Sequence, residues 1–477
     1  MQSKTDIINY ILYSEAEQNV LPLSSLCHNG CVFCSHKNIS KNDYLYKFYD
    51  YKRDLSDIIE HIDFLDPSKK VYIGESATKI FEGEPFLFTG IIEVLKALRK
   101  RVKKSAICIT TCGGYIMPDF LDIIEEIAPV EINFSLNSYN AQTRDRIVLD
   151  NKTAETFNNL HKLSLVKKGV KLSVSLMALN EKLTPSGLLL EDCVRLRTLG
   201  NISIIKIFLP RFSEKQFHGF YNNYGEFIDY CAVIKSAFGE INCRPGAAPV
   251  ILEPLPPDFD GGETLIHSVI PSSKAAALNL KSKDKIKAVN GTAPLCKTHA
   301  YQMIVSSKKN PALTVESFDE SSGRRNGGSV SVSFPDFNGA KDGAGGIVFT
   351  ADMPPEVIGR LIKIDERLAG GSPAGIIATT ALSLDYINDI LAKFNIVNLR
   401  AAAFKNRRFG GNIDCAGLLT LNDISEEIRS EEFIKCYGGD FKTIILSSLM
   451  FDHLNYDLNG DNLFEFAAPG GYELISV

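Results

Sequence analysis

The stretch LCHNGCVFC, residues 26–34, brings three cysteines together at the spacing Cys-x3-Cys-x2-Cys. Thiolates are soft ligands that suit iron–sulfur clusters and zinc. A structural zinc site uses a closed set of four ligands, whereas a cubane cluster held by three cysteines leaves one iron open for a small molecule. Zinc completed by His28 stays an alternative, although His28 adjoins Cys27 and is poorly placed to close around the same ion.

The composition is that of a soluble globular protein. The 477 residues include 45% hydrophobic and 23% charged residues, and this length predicts two or three domains. The net charge of −5 and the lack of a dense basic run give no indication of a nucleic-acid surface. No secretory signal and no apolar run of membrane-spanning length is evident, so we expect a cytoplasmic protein without a membrane partner. The 11 cysteines therefore indicate metal ligands or buried thiols rather than disulfides.

The cysteine spacing, with Phe33 directly before the last cysteine, resembles the signature of the radical S-adenosylmethionine (SAM) superfamily. The resemblance implies a [4Fe-4S] cluster held by Cys27, Cys31 and Cys34, and SAM as the second cofactor. It also implies reductive cleavage of SAM to a 5′-deoxyadenosyl radical that abstracts a hydrogen atom from a substrate. An electron donor such as flavodoxin or ferredoxin would be a partner. No further closely spaced cysteines follow Cys112, so we expect a single cluster.

Apolar strands alternate with helix-patterned segments over residues 20–240. The predicted strands are 20–23, 70–73, 106–111, 131–136, 171–179 and 203–210. This alternation predicts parallel βα units, and the resemblance implies a partial (β/α)6 barrel over residues 1–240. In such barrels the chemistry lies at the C-terminal ends of the strands.

Two Gly-Glu pairs are alternative candidates for one binding motif. The resemblance implies a Gly-Gly-Glu-like motif that receives the methionine amino group of SAM, and this chain offers Gly74-Glu75 and Gly83-Glu84 as half-matches. The position at a strand end favours Gly74-Glu75, whereas the Glu-Pro continuation into a helix favours Gly83-Glu84. A solvated turn glutamate is the structural alternative for either pair.

Further candidates follow the later strands. Ser135 and Asn137 lie where the family contacts the ribose or carboxylate of SAM, and Arg144 or Arg146 could hold the methionine carboxylate. A surface arginine is the alternative for both of these. Cys112 follows a strand and is a candidate catalytic residue, with an inert buried thiol as the alternative. Either parity of the later strands could face inward, and the candidate pocket-lining positions are Ser175, Met177, Lys206 and Phe208.

The amino-acid composition changes after residue 240. Proline and glycine over 243–262 predict a linker, and residues 250–335 resemble a PDZ domain in the order of their strand and turn residues. A PDZ fold often binds a peptide or protein segment as an added strand. The loop 261–264 departs from the usual carboxylate-binding form, so an architectural role is the alternative.

The low-complexity stretch 321–346 is predicted to separate this module from an α+β domain over 343–477. That last domain resembles a C-terminal domain of unknown function found in radical SAM proteins that carry PDZ modules, through Asn406, Phe409-Gly410 and the turn 416–420. The leading hypothesis is a radical SAM enzyme, an oxidoreductase or transferase, acting on an unidentified peptide, protein or small molecule. The alternative is a non-catalytic iron–sulfur or zinc sensor that recruits a partner.

Overall fold

A computed structural model describes residues 4–34, 53–76, 80–166, 168–239, 241, 247–253, 263–319, 321–339, 343–369, 375–437, 441–466 and 471–477. The chain divides into two compact units. Among the described residues, the first unit contains those up to Pro210, those in 228–241 and those in 247–253. The second contains those in 211–227 and those from 263 to the last residue.

The first unit is built on one parallel sheet of six strands in sequence order. Its strands are β1 (Val71–Ile73), β2 (Ile107–Thr111), β3 (Val130–Asn137), β4 (Val170–Met177), β5 (Ile202–Phe208) and β6 (Val250–Glu253). Its helices are α1 (Lys4–Gln18), α2 (Leu55–His61), α3 (Ile91–Arg101), α4 (Pro118–Ile123), α5 (Ala141–Val148), α6 (Thr153–Leu165) and α7 (Ser186–Leu196). This alternation forms the expected partial (β/α)6 barrel.

Burial alternates along the strands. One set of side chains, such as Ile132 and Phe134 of β3, is completely buried. Helices cover the outside of a βα barrel, so the alternate set faces the inside. We call this set the inner face; it is half-buried and mostly polar, and its members are Tyr72, Thr110, Glu131, Asn133, Ser135, Ser173, Ser175, Met177, Lys206 and Phe208. The four predicted pocket-lining positions on β4 and β5 are among them.

The structure differs from the predicted strands at both ends of the sheet. The predicted first strand, 20–23, forms only an isolated parallel bridge between Val20 and Tyr72. The segment predicted to be a linker contains β6, which pairs with β5 in parallel. The short apolar run of β6 lies in a segment rich in proline and glycine. These residues favour a loop, so the strand was not predicted. The barrel sheet therefore extends beyond the predicted boundary at residue 240.

Residues 263–349 of the second unit, which include most of the stretch 250–335 predicted to be PDZ-like, form two small sheets. Strands β8 (Lys285–Val289), β9 (Ala312–Asp319) and β10 (Arg324–Ser333) form an antiparallel sheet, and β7 (Ser268–Val269) pairs with β11 (Ile347–Val348). The stretch 321–346 is thus not a separating linker, because it contains β10. Residues 261–262 of the predicted carboxylate-binding loop lie outside the described residues. The helices of the second unit that precede residue 349 are α8 (Glu214–Phe217), α10 (Lys274–Ala277) and α11 (Lys297–Val305). Helix α9 (Tyr224–Gly239) contains residues of both units.

The remainder of the second unit is a parallel sheet of four strands in the order β13-β12-β14-β15. The strands are β12 (Gly375–Thr379), β13 (Leu399–Ala403), β14 (Thr443–Leu446) and β15 (Glu473–Ser476), with helices α12 (Pro355–Leu368), α13 (Leu384–Lys393), α14 (Leu421–Ile428) and α15 (Glu431–Tyr437). The expected mixture of helices and strands is present. Helices connect parallel strands here, so the arrangement is the alternating α/β type rather than segregated α+β.

Within the described ranges, no helix has both the length and the apolar character needed to cross a membrane.

Candidate functional site

The three cysteines lie on one loop, residues 24–34, which we call the cysteine loop. Cys27 is exposed, Cys31 and Cys34 are half-buried, and none of them forms a disulfide. The backbone N–H of Cys34 donates to the carbonyl oxygen of Cys31 at 3.2 Å, which closes a turn. The backbone N–H of Val32 donates to the carbonyl oxygen of Ile147 at 2.9 Å, so the loop is attached to helix α5.

The other two thiols of the cysteine loop affect the pKa of Cys31. Burial, followed by the charges of Cys34 and Cys27, raises the pKa of the Cys31 thiol to about 12. The three thiols are thus close enough to interact electrostatically. Across the described residues, no three cysteine, histidine or carboxylate side chains already converge as a metal-ligand set. Sharing one metal centre therefore requires the thiols to rotate or the loop to adjust.

Residues 83 and 84 run directly beside the cysteine loop. The backbone N–H of Gly83 donates to the carbonyl oxygen of Ser24 at 2.7 Å, and that of Glu84 donates to the carbonyl oxygen of Leu26 at 3.0 Å. A Cβ atom on Gly83 would lie 1.9 Å from the carbonyl oxygen of Leu26. Only glycine therefore permits this approach of the two backbones.

The Glu84 carboxylate connects this segment to the end of β2. Its Oε1 accepts a hydrogen bond from Thr111 Oγ1 at 2.6 Å, and its Oε2 accepts one from the backbone N–H of Cys112 at 2.8 Å. Burial raises the pKa of Glu84, and the bonds from Thr111 and Cys112 oppose this rise. Glu84 is therefore a fixed, buried group rather than a solvated turn glutamate.

The two Gly-Glu pairs meet in space. Gly74 has a φ of +73° in the left-handed region, and a Cβ atom on it would lie 2.4 Å from the carbonyl oxygen of Thr110. The same Cβ would lie 3.0 Å from Cδ of Pro85, the residue after Glu84. Gly74 and Pro85 therefore lie next to each other at this strand end.

Glu75 makes different contacts from Glu84. Its Oε1 accepts hydrogen bonds from Thr110 Oγ1 at 2.8 Å and from Asn133 Nδ2 at 2.9 Å. The hydroxyl of Ser173 donates to Asn133 Oδ1 at 3.1 Å. Glu75 thus belongs to a polar chain across β2, β3 and β4 on the inner face, which we call the inner-face chain.

The candidate SAM-binding residues on β3 and α5 differ in their exposure and in whether another side chain already binds them. Ser135 is half-buried on the inner face, and Asn137 ends β3 with a φ of +67°. Arg144 is fully buried and binds both carboxylate oxygens of Asp150, at 2.8 and 3.0 Å. Arg146 is exposed. The structure therefore gives the Arg144 guanidinium an internal carboxylate partner and leaves Arg146 accessible.

Cys112 lies between the end of β2 and the cysteine loop. Its side chain is 7% exposed, and burial, together with the neighbouring Glu84, raises the pKa of its thiol well above the usual value. The Asn29 side chain hydrogen-bonds to this thiol. Cys112 is therefore a protonated thiol within the site.

Sequence reasoning missed several residues of the site. Glu82 is buried and accepts backbone hydrogen bonds from Leu23, directly before the cysteine loop, and from Ser24, its first residue. The buried Asn29 contacts Cys112. Thr110, Asn133 and Ser173 were missed as well. Their one signal in the sequence is a polar side chain in the middle of an otherwise apolar strand, which in a buried sheet indicates an inward position.

Residues 21–182 match the sequence profile of the Radical SAM superfamily. No curated protein is matched by this sequence.

Solved structures give distant matches. SuiB from Streptococcus suis, bound to S-adenosylmethionine, is 12% identical over 54% of this chain and 54% of its own, with a TM-score of 0.32. Methylornithine synthase (PylB) is 13% identical over 55% and 81%, with a TM-score of 0.32. A radical SAM methyltransferase from Sphaerobacter thermophilus is 13% identical over 49% and 65%, with a TM-score of 0.32. The matched part spans about half of the SuiB chain.

Proposed function

Because residues 21–182 of this chain form a radical SAM domain, we propose that the protein is a radical SAM enzyme. Cys27, Cys31 and Cys34 hold a [4Fe-4S] cluster in this proposal, and the Gly83-Glu84 segment binds SAM. The observation that carries it is the backbone pairing of residues 83–84 with the cysteine loop. This pairing sets the proposed metal ligands beside the proposed SAM contacts.

The residues present fit an iron–sulfur cluster. The donor set consists of three thiols, and thiolates are the ligands that such clusters use. Burial and mutual repulsion make it costly to deprotonate Cys31 beside Cys27 and Cys34. The positive charge of bound iron offsets this cost, so that loading of the site releases protons.

The cofactors supply the chemistry and the chain supplies position. When bound, the cluster would supply the electron for reductive cleavage of SAM to methionine and a 5′-deoxyadenosyl radical, and that radical would abstract a hydrogen atom from the substrate. Gly83 and Glu84 receive the methionine amino group, because they adjoin the cysteine loop. Ser135 and Asn137 contact the ribose or the carboxylate. Arg146 is the arginine that holds the carboxylate, since Asp150 already occupies Arg144.

The remaining assignments concern substrate and partners. The substrate is a peptide, a protein or a small molecule, and the half-buried inner face is the surface on which it would lie. Cys112 is a protonated thiol that adjoins Glu84 and is the candidate catalytic residue of the chain. A cytoplasmic flavodoxin or ferredoxin would supply the electron. The PDZ-like region would bind a peptide or protein segment.

SAM cleavage in a reconstituted protein tests the proposal. The full chain is loaded with iron and sulfide without oxygen, reduced with dithionite and given SAM. We expect 5′-deoxyadenosine to form. Cys31→Ala should lose both the visible absorption of the cluster and 5′-deoxyadenosine formation. Cys436→Ala is the matched control, because Cys436 is exposed and lies in the second unit.

The same experiment separates an enzyme from a sensor. A protein that carries a cluster and forms no 5′-deoxyadenosine would contradict the enzyme assignment and favour the non-catalytic sensor. Unchanged cluster absorption in Cys31→Ala would contradict the ligand assignment.

A further inference from the structure

The inner-face chain converges on one carboxylate. Thr110 and Asn133 both donate to Oε1 of Glu75, at 2.8 and 2.9 Å, and Ser173 supports Asn133 from the next strand. Three neighbouring strands thus hold Glu75 in one orientation. A side chain fixed in this way loses little conformational entropy when a ligand binds to it.

The second oxygen of Glu75 has a different environment. Among the described residues, no group donates a hydrogen bond to Oε2 of Glu75 and no lysine or arginine forms an ion pair with it. The other two carboxylates on this side of the sheet are paired. Lys70 approaches Glu131 at 2.7 Å and Lys171 approaches it at 3.6 Å. On β5 and β6, Lys206 and Glu253 are 4.0 Å apart.

Within the described parts of the chain, Glu75 is therefore held by neutral donors alone. A half-buried carboxylate loses part of its hydration, and the protein usually compensates for this with a cation. Among the lysines that the structure describes, Lys70 and Lys171 pair with Glu131 and Lys206 pairs with Glu253, whereas none pairs with Glu75. A ligand with a protonated amine would complete the site, because its N–H groups could donate to Oε2 and its charge would balance the carboxylate.

We propose that Glu75 is the receptor for a protonated amino group of the substrate, so that the hydrogen donor of this enzyme is an amine-bearing molecule. This inference rests on the proposed radical SAM function and gives Glu75 a role separate from SAM. The contacts of Glu84 connect the cysteine loop to the end of β2, whereas those of Glu75 lead to β3 and β4. The two glutamates thus serve two ligands.

Binding of n-butylammonium tests this inference, with 1-butanol as the neutral probe of similar shape. Saturation-transfer NMR measures both probes on the full, cluster-loaded, oxidised protein, with and without saturating SAM. We expect Glu75→Gln to weaken n-butylammonium binding about fivefold to tenfold, because a charged hydrogen bond is lost. Binding of 1-butanol should be equally weak in both proteins.

The variant keeps the local geometry. Glutamine retains an oxygen that can accept the bonds from Thr110 and Asn133, and thermal unfolding of Glu75→Gln checks that the fold is intact. Glu60→Gln is the matched control, because Glu60 is an exposed glutamate of α2. It should bind n-butylammonium as the unchanged protein does.

Three results would overturn the inference. They are an unchanged protein that does not bind n-butylammonium, a Glu75→Gln protein that binds it equally well, and displacement of n-butylammonium by SAM. Displacement would assign Glu75 to the SAM site. Failure of the proposed function would show itself differently, as a protein that does not load a cluster or does not bind SAM. The effect of Glu75→Gln on n-butylammonium remains measurable in that case.

Discussion

Glu82 accepts a hydrogen bond from the backbone N–H of Leu23 at 2.9 Å, although 59 positions of the sequence separate them. The same oxygen, Oε2, accepts a longer bond from the N–H of Ser24 at 3.4 Å. Leu23 and Ser24 lead into the cysteine loop. Glu82 therefore fixes the direction in which the chain approaches the proposed metal ligands.

Glu82→Ala should weaken retention of the cluster, whereas Glu82→Gln should not. Alanine leaves two N–H groups without their acceptor, which costs about 1–3 kcal/mol. Glutamine can place an oxygen where Oε2 lies. We expect a chelator to bleach the cluster of Glu82→Ala about tenfold faster, and that of Glu82→Gln at nearly the rate of the unchanged protein. Equal bleaching of the two variants would exclude hydrogen-bond acceptance as the role of Glu82.

Gly83→Ala should separate the cysteine loop from residues 83–84. The added Cβ would stand 1.9 Å from the backbone oxygen of Leu26, which cannot rotate away as a side chain could. We expect a loss of iron binding of tenfold or more, roughly 1.4 kcal/mol or above, because overpacking of backbone atoms forces the loop to move. Iron content after reconstitution measures this.

Gly187→Ala is the control for that substitution. Gly187 lies in α7, and no atom stands within 4 Å of the position of its Cβ. Alanine is favoured in helices, so this variant should be more stable by about 0.5–1 kcal/mol and should bind iron normally. Normal iron binding by Gly83→Ala would contradict the importance of the backbone approach.

Arg144→Ala should destabilise the first unit strongly. Arg144 and Asp150 have side chains that are 0% and 1% exposed, and removing the arginine leaves a buried carboxylate without its cation. We expect a loss of about 3–5 kcal/mol in the free energy of unfolding by urea. Arg146→Ala, on the exposed side of the same helix, should change it by less than about 0.5 kcal/mol. Similar losses in the two variants would contradict this distinction.

Glu84 should make stability depend on pH. Burial raises its pKa in the folded state above the ordinary value of 4.5, so folding favours the protonated form. The contribution of Glu84 is fully present below the unfolded pKa and is lost as the pH rises through the folded pKa.

Glu84→Gln remains neutral throughout this range. Its free energy of unfolding, relative to that of the unchanged protein, should therefore increase from about pH 5 to about pH 7 in urea titrations of the iron-free protein. A relative stability that decreases over this range would mean that the folded pKa of Glu84 is lowered.

The strands of the barrel were largely predictable. Short, mainly apolar runs with a glycine one or two residues beyond their end, as in 70–73 and 106–111, are typical of strands buried between layers. Strand β6 was not predictable from its four residues, because the surrounding proline and glycine favour a loop. Its place in the sheet depends on pairing with β5, which local sequence does not encode.

The face of the sheet to which each polar side chain points could also not be predicted from the sequence. Thr110 and Thr111 are identical neighbours at the end of β2, yet Thr110 donates to Glu75 and Thr111 donates to Glu84. Residue type cannot distinguish them, because a shift of one residue in register would exchange their faces. The spacing of the cysteines, in contrast, is a local property and could be read directly.

The pairing of residues 83–84 with the cysteine loop uses backbone atoms of Ser24 and Leu26. Backbone bonds of this kind do not depend on which side chains the two residues carry. The side chains that precede the cysteines can therefore change during evolution while the backbone arrangement of the loop is kept. Gly83 is the exception, and selection on this segment should be concentrated there.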